Sequence, residues 1–351
     1  MTFGFWCWRG FAASSARLRK ADTFMVKVIR CHEYGAPDVL RIDEVAPRDP
    51  GAGEIRVRLG ACAVNFPDIL SCAGTYQTKP NFPFSPGMEA AGEIIDCGAG
   101  VTGFQTGDRV MLWCGPEYDG YAEEVTLPVE RAFAAPVGMD DVEAAGFMLV
   151  YGTAWHGLVD CGHLQAGETV AVHGASGGVG MAAVQLAKAL GATVIASAGS
   201  DDKLDIVAAQ GADHVINYNS EDIRQRLKEL TVDGGLNVAF DTVGGDAFRA
   251  SLSAIAPEGR ILIVGFTSGD HAQAPINIIL VKGASLIAVR FGWFALTYPE
   301  RTQENHRQLL ALYEAGKLKP YVGRTYPLDQ AIDALKALQN REVTGKIILT
   351  T

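Results

Sequence analysis

The octapeptide His173-Gly174-Ala175-Ser176-Gly177-Gly178-Val179-Gly180 constrains this chain more than any other stretch. It follows a short apolar run, 169–173, that reads as a buried strand. It precedes 179–190, where Ala183, Val184, Ala187 and Leu190 recur at helical spacing. Glycines at such a corner let the backbone turn sharply and approach a ligand closely, and the free N–H groups of the helix start then face its negative charge. A plain tight turn would use the same residues. The strand–loop–helix context makes a pyrophosphate cradle the reading of this motif.

The surrounding texture supports it. Apolar strands are expected at 193–197, 214–218, 236–241 and 260–264, with helical segments between them. That alternation predicts a parallel, doubly wound sheet. Residues 25–133 read differently: Ile55, Val57 and Leu59 alternate with polar partners, and turn signals recur at Gly35, Gly51, Gly98 and Gly107. Short strands so spaced predict a compact antiparallel, barrel-like unit. Helical stretches are expected at 140–147 and 153–158. Beyond about residue 289 the strand–helix rhythm stops, leaving a helix at 301–315, a strand near Tyr326, a helix to 339 and a last strand at 346–349. This tail has the makings of a completion of the first unit, which periodicity alone does not establish. At roughly 150 residues per domain, 351 residues suggest two domains.

Bulk properties narrow the partners. A formal net charge of −10 argues against nucleic acid, whose phosphates such a surface repels. No apolar run is long enough to span a bilayer. The 7 cysteines are scattered and form no C-x-x-C, so a reducing compartment is expected, with most of them serving as small buried apolar groups. Residues 1–24 are set apart from the fold. Free of acid through position 21 and carrying Arg9, Arg17, Arg19 and Lys20, they read as an organelle transit peptide or as a start assigned too early, since Met25-Val26-Lys27 opens a strand-like run. The second reading is preferred, and with it a cytoplasmic location.

The second strand of the doubly wound unit sets the cofactor expectation. Dinucleotide sites that take NAD place an acid about 20 residues beyond the glycine loop, where it holds the ribose 2′-hydroxyl. Here the strand ends Ser197-Ala198-Gly199-Ser200, with no acid at its tip. Lys203 and Tyr218 are the candidates for holding a 2′-phosphate, which points to NADPH; the competing reading of Lys203 is a solvated helix residue. Asp201 and Asp202 argue the other way. They also suit a first helical turn behind Ser200 as N-cap, where they complement the helix dipole. Ser176, Gly177, Gly178 and Val179 complete the phosphate side. Gly265, Phe266 and Thr267, after the strand at 260–264, fall on the carboxyl edge where the nicotinamide is expected.

Asn65-Phe66-Pro67-Asp68, Gly74-Thr75-Tyr76, the run from Ser85 to Gly92, Gly107-Asp108-Arg109-Val110, Gly120-Tyr121-Ala122-Glu123 and the Gly177–Gly180 loop together resemble the medium-chain dehydrogenase/reductases. Within these the chain is most similar to the quinone oxidoreductase, or zeta-crystallin-like, branch. The resemblance runs in order from about Met25 to the C-terminus. It implies an α/β architecture in which a GroES-like β-barrel-type substrate domain, residues 25–148 and 290–351, carries an inserted Rossmann domain, residues 149–289. It also implies a homo-oligomer, dimer or tetramer. Asn65 would then lie beside the nicotinamide and Tyr76 would line the cofactor cleft, both as catalytic candidates, the Tyr76 phenol orienting the acceptor or donating a proton; the competing readings are a turn or helix cap for Asn65 and aromatic packing for Tyr76. Val243 joins the cofactor-contacting set.

Zinc-dependent members of that superfamily hold the metal with Cys, His and Cys. The matching positions here are Asn65, Met88 and Ala145, an amide, a thioether and a methyl, which make no zinc site. Without a Lewis acid, an unactivated alcohol or ketone is hard to interconvert. A quinone or enone needs less help, because conjugation already spreads the charge that hydride delivery creates. The expected function is therefore zinc-independent hydride transfer from NADPH to such a small molecule. The alternatives are an enoyl-thioester reductase on the same scaffold and a non-catalytic NADPH-binding protein. Phe291, Trp293 and Phe294 are read as the acceptor floor or as core, and the histidines at 156, 163, 173 and 214 as isolated structural residues.

Overall fold

The computed structural model describes Met1, residues 24–115 and residues 119–351. The expectation for residues 1–24 falls almost wholly outside these. Strands β1 (Val26–Cys31) and β2 (Leu40–Val45) form a small antiparallel pair. Next come β3 (Glu54–Val64), β4 (Glu89–Cys97), β5 (Arg109–Trp113), β6 (Glu124–Pro128) and β7 (Ala132–Ala134). The middle of the chain supplies β8 (Thr169–His173), β9 (Thr193–Ala198), β10 (His214–Asn217), β11 (Leu236–Asp241), β12 (Ile255–Ile263) and β13 (Ser285–Ala288). The tail adds β14 (Val322–Pro327) and β15 (Lys346–Thr350).

The middle six strands pair in parallel in the order β10-β9-β8-β11-β12-β13. In chain order that is 3-2-1-4-5-6, the doubly wound arrangement expected from the alternating apolar strands. Its direction reverses between β8 and β11, and a crevice opens at their carboxyl ends. Buried runs such as Val170, Ala171 and Val172 explain why these strands show no alternation in sequence: helices cover both faces of the sheet.

The tail joins the other sheet, whose order is β14-β15-β3-β4-β5-β7, with β6 also pairing to β3. β15 lies antiparallel to β3, setting Ile347 opposite Val64 and Leu349 opposite Cys62. Ile347 and Leu349 are both buried in a core shared with Ile55, Val57 and Ile94. Thus the last strand is central to a sheet begun some 280 residues earlier, the completion that periodicity had left open. Ile348, on the opposite face of β15, belongs instead to the core reaching Met148, Val150, Val172 and Met181. One strand therefore feeds both cores, by the period-2 alternation of its side chains. No helix among the described residues is long and apolar enough to cross a membrane.

Between the two sheets the helix Met148–Trp155 continues into a π-helical turn, His156–Cys161. The helix Gly178–Ala189 starts one residue earlier than the apolar spacing suggested. A Cβ on Gly180 would fall 2.2 Å from the Gly174 carbonyl oxygen, so this helix docks on its strand only because position 180 has no side chain. Replacing Gly180 with Ala should lower the urea midpoint, at a cost of about 1–3 kcal/mol for overpacking. An unchanged midpoint would mean that the strand–helix contact has slack it does not show here.

Candidate active site

The crevice between β8 and β11 is floored by the glycine loop. Gly174 has φ +69°, a conformation that disfavours side chains, and Thr242 Oγ1 bonds to the His173 carbonyl across the crevice at 2.9 Å. Gly177 is the N-cap of the helix Gly178–Ala189, and a Cβ there would meet nothing closer than the Gly174 oxygen at 3.4 Å. The loop thus presents bare backbone and a helix N-terminus to open space, as a phosphate cradle requires. Ser176 is tied to the tail: its carbonyl accepts from the Gly345 N–H at 2.8 Å.

At the tip of β9, Ser200 occupies the N-cap of the helix Asp201–Ala209 without a side-chain capping bond. Asp201 is turned aside, its carboxylate accepting from Asn217 Nδ2 at 2.7 Å. The Tyr218 hydroxyl stands over Gly199, where a Cβ would come within 2.8 Å of it. Lys203 Nζ donates to the carbonyl of Arg341 at 2.6 Å, and the Arg341 guanidinium donates to the Thr267 carbonyl at 2.7 Å. Arg341 has φ +58°, which directs this loop residue over the crevice. Sequence reasoning missed Arg341, which reaches Lys203 from 138 residues away. On the facing edge, Val243 N–H donates to Asp241, and Thr267 is anchored to the Thr242 carbonyl through both its N–H and its hydroxyl. Phe266 projects, 44% exposed.

Asn65 sits at the N-cap of the helix Phe66–Cys72, where its capping reading places it. Its backbone N–H donates to the Asp68 carboxylate at 2.7 Å. Asp68 is fully buried, and burial pushes it up to about 6 despite hydrogen bonds from Asn65, Tyr121 and Gly87. The Asn65 side chain points into a second cluster. Lys346 Nζ donates to Asn65 Oδ1 at 2.7 Å, to Glu89 Oε1 at 2.9 Å and to the Val64 carbonyl at 3.2 Å. Asn65 Nδ2 also donates to Glu89 Oε1, and Glu89 Oε2 accepts from the Leu149 N–H at 2.8 Å. The Lys346 and Glu89 side chains are only 6% and 2% exposed. The Lys346 stem also lies where a Cβ on Gly178 would be, 2.7 Å away, so the same side chain packs beneath the nucleotide loop. Neither Glu89 nor Lys346 was given a role from sequence. The available signal was an acid within a run of small residues and a cation opening the apolar strand KIIL.

Beside this cluster is a small pocket lined by Met88, Glu89, Trp113, Met148, Leu149 and Phe291. Phe291 stacks on Trp113 with ring centroids 5.6 Å apart and planes 10° from parallel. Phe294 lies behind the wall against His156, and Trp293 is half exposed against Tyr298, so only Phe291 of the three expected aromatics faces the pocket. Tyr76 follows the helix Phe66–Cys72, half-buried, its N–H bonded to the Leu70 carbonyl. Met88 and Ala145, two of the matched zinc positions, are buried apolar groups. Among the described residues no three His, Cys, Asp or Glu side chains gather as a metal set. The donors at the matched positions do not suit Zn²⁺.

Two histidines read as isolated are not. His173 is buried between Ser197 Oγ at 2.8 Å and Ser251 Oγ at 2.7 Å, and burial lowers its proton affinity. His156 pairs with Asp160 Oδ2 at 3.0 Å. Burial opposes its charge, yet the bonds to Asp160 and Cys161 outweigh that and raise it to about 9. The His173 partners come from elements 24 and 78 residues away, which a linear scan does not reveal, whereas His156 and Asp160 stand one helical turn apart.

Comparison with known proteins agrees with this architecture. The model for the alcohol dehydrogenase GroES-like domain matches residues 51–192, and that for zinc-binding dehydrogenases matches residues 178–311. A quinone oxidoreductase-like protein 2 homolog of Nematostella vectensis is 38% identical, covering 97% of this chain and 95% of its own length. Escherichia coli quinone oxidoreductase, solved in complex with NADPH, superposes with a TM-score of 0.84 at 31% identity, over 93% of this chain and 100% of its own. CurK enoyl reductase gives a TM-score of 0.84 at 26% identity, over 93% and 99%. The chain belongs to the medium-chain dehydrogenase/reductases, in their quinone oxidoreductase branch. It is an oxidoreductase of that type.

The buried ion pair invites a direct test. Lys346→Met should strand the Glu89 carboxylate and cost about 3–5 kcal/mol. The double variant Lys346→Met/Glu89→Gln should recover much of that loss in a denaturation cycle. Additive losses would show that the two groups do not act as a pair.

Proposed function

We propose that this chain passes hydride from NADPH to a quinone or another α,β-unsaturated carbonyl without a metal ion. One observation carries the reading: Asn65, at the position of a zinc thiolate in metal-dependent relatives, is locked by Lys346 and Glu89 beside an apolar pocket. The site offers an amide and aromatic walls in place of a Lewis acid, which suits an acceptor that delocalises its own developing charge. The reduced nicotinamide, when bound, supplies the hydride. Ser176, Gly178 and Val179 would bind the pyrophosphate through backbone N–H groups, with Gly177, whose own N–H donates to the Gly174 carbonyl, leaving room for its close approach. Val243, Gly265, Phe266 and Thr267 wall the nicotinamide half. Gly199 and Ser200 leave room at the adenosine half, where Lys203, Tyr218 and Arg341 hold the 2′-phosphate. Asn65, Tyr76 and Phe291 orient the acceptor in a cleft that excludes water. The proton that completes the reduction comes from water or a nearby hydroxyl.

NADPH is favoured because Lys203 ties the Arg341 loop to the strand tip that carries no acid, with Asp201 engaged by Asn217, and because the Escherichia coli relative was solved with that cofactor. The division into residues 25–148 with 290–351, and 149–289, is part of the same proposal and draws support from the pairing of β15 with β3. A second reading, an enoyl-thioester reductase, has the likeness to CurK enoyl reductase in its favour.

Steady-state NADPH oxidation against a panel of quinones, simple enones and enoyl-CoAs separates these readings. Turnover should be highest with a quinone or enone; preference for the thioester selects the second, and cofactor binding with no turnover on any acceptor overturns both. Lys203→Ala and Arg341→Ala should each weaken NADPH binding about 10- to 100-fold, as loss of a charge-assisted hydrogen bond would. NADH binding should hardly change, and equal losses for the two cofactors would refute the 2′-phosphate assignment.

A further inference from the structure

The π-helical turn His156–Cys161 sets two reactive side chains, Asp160 and Cys161, around the His156 ring. Its wide turn is marked by the Gly162 N–H bonding back five residues to the Gly157 carbonyl at 2.8 Å. Because of that width, adjacent residues 160 and 161 reach opposite nitrogens of the same imidazole. Asp160 Oδ2 lies 3.0 Å from His156 Nδ1, and Cys161 Sγ lies 3.6 Å from His156 Nε2. π-turns of this kind are often found at functional sites.

Each member is held from outside. Asp160 Oδ2 also accepts from Asn305 Nδ2 at 2.8 Å, and Arg301 stands 3.6 Å from Asp160 Oδ1. The His156 ring is stacked on Phe294, centroids 4.1 Å apart. The His156 and Asp160 side chains are 11% and 12% exposed, whereas Cys161 lies half-buried at the edge of the cluster. Of the described cysteines only Cys161 and Cys97 are not fully buried, and a histidine stands at hydrogen-bond distance from Cys161. The hydride-transfer mechanism uses none of these three residues.

We propose that Cys161 is a nucleophilic thiol, with His156 as its base and Asp160 as the carboxylate that orients the ring, and that it takes α,β-unsaturated carbonyl electrophiles. With its proton already resting on His156 Nε2, the sulfur bonds to the carbon β to the carbonyl. The C=C π pair moves toward the carbonyl oxygen, and the resulting enolate recovers that proton. The addition is redox-neutral and needs no further reagent. Asp160 stabilises the imidazolium at Nδ1 during the transfer, the arrangement that activates thiols elsewhere. The inference does not depend on the hydride-transfer reading.

The test is peptide mapping by mass spectrometry after brief exposure of the full-length protein to one equivalent of N-ethylmaleimide. Cys161 should be alkylated about tenfold faster than Cys97 or more. His156→Gln and Asp160→Asn should each slow Cys161 about tenfold while leaving Cys97, the internal control, unchanged. Should His156→Gln fail to fold, Asp160→Asn, which keeps the shape of the side chain, carries the comparison. Equal rates at Cys161 and Cys97, or a Cys161 rate indifferent to the loss of the Asp160 charge, would overturn the proposal.

Discussion

The structure turns on one buried ammonium group. Lys346 places three N–H donors on Val64, Asn65 and Glu89 while its stem lies under Gly178. A cation so enclosed is stable only when each proton finds an acceptor, and it has three. The consequence is geometric rather than energetic. Strand β15, the antiparallel sheet, the nucleotide loop and the Asn65 amide are fixed against one another at a single point. Such a pair contributes little net stability compared with apolar residues of the same volume, but it tolerates few alternative placements.

Around that point the remaining parts follow from simple constraints. The order in which the parallel strands are added reverses between β8 and β11, which leaves a crevice at their carboxyl ends. The glycines there serve separate ends: Gly174 turns the chain, Gly180 lets the helix close on the strand, and Gly177 leaves backbone exposed. Arg341 and Gly345, both at positive φ, bring the tail back over the crevice from the opposite side. The cleft is therefore built from the middle and the tail of the chain, and the tail supplies both a surface cation and a buried one.

Much of the architecture was legible because it is written in local patterns. Apolar strands without alternation marked the parallel sheet, alternation at Ile55, Val57 and Leu59 marked the antiparallel one, and the glycine loop stood where strand meets helix. The site was legible only in part. Asn65, Lys203 and the glycine loop stand out by motif and position. Glu89, Arg341 and Lys346 do not, because what distinguishes them is a partner far along the chain. The histidines show the same limit: His156 and Asp160 are four residues apart, but only the π-turn lets Cys161 join them.

By itself, then, the sequence determined which segments become strands and helices, and where the glycine loop and the acid-free strand tip fall. These depend on side-chain period, backbone freedom and charge, all carried by neighbouring residues. Only the tertiary structure decided that the last strand enters the first sheet, that a lysine from it meets Glu89 and Asn65, and that Arg341 reaches Lys203. Those contacts bridge separations of 138 residues and more, and a buried charge selects its partners by the directions in which its hydrogen bonds must point, which no linear pattern records.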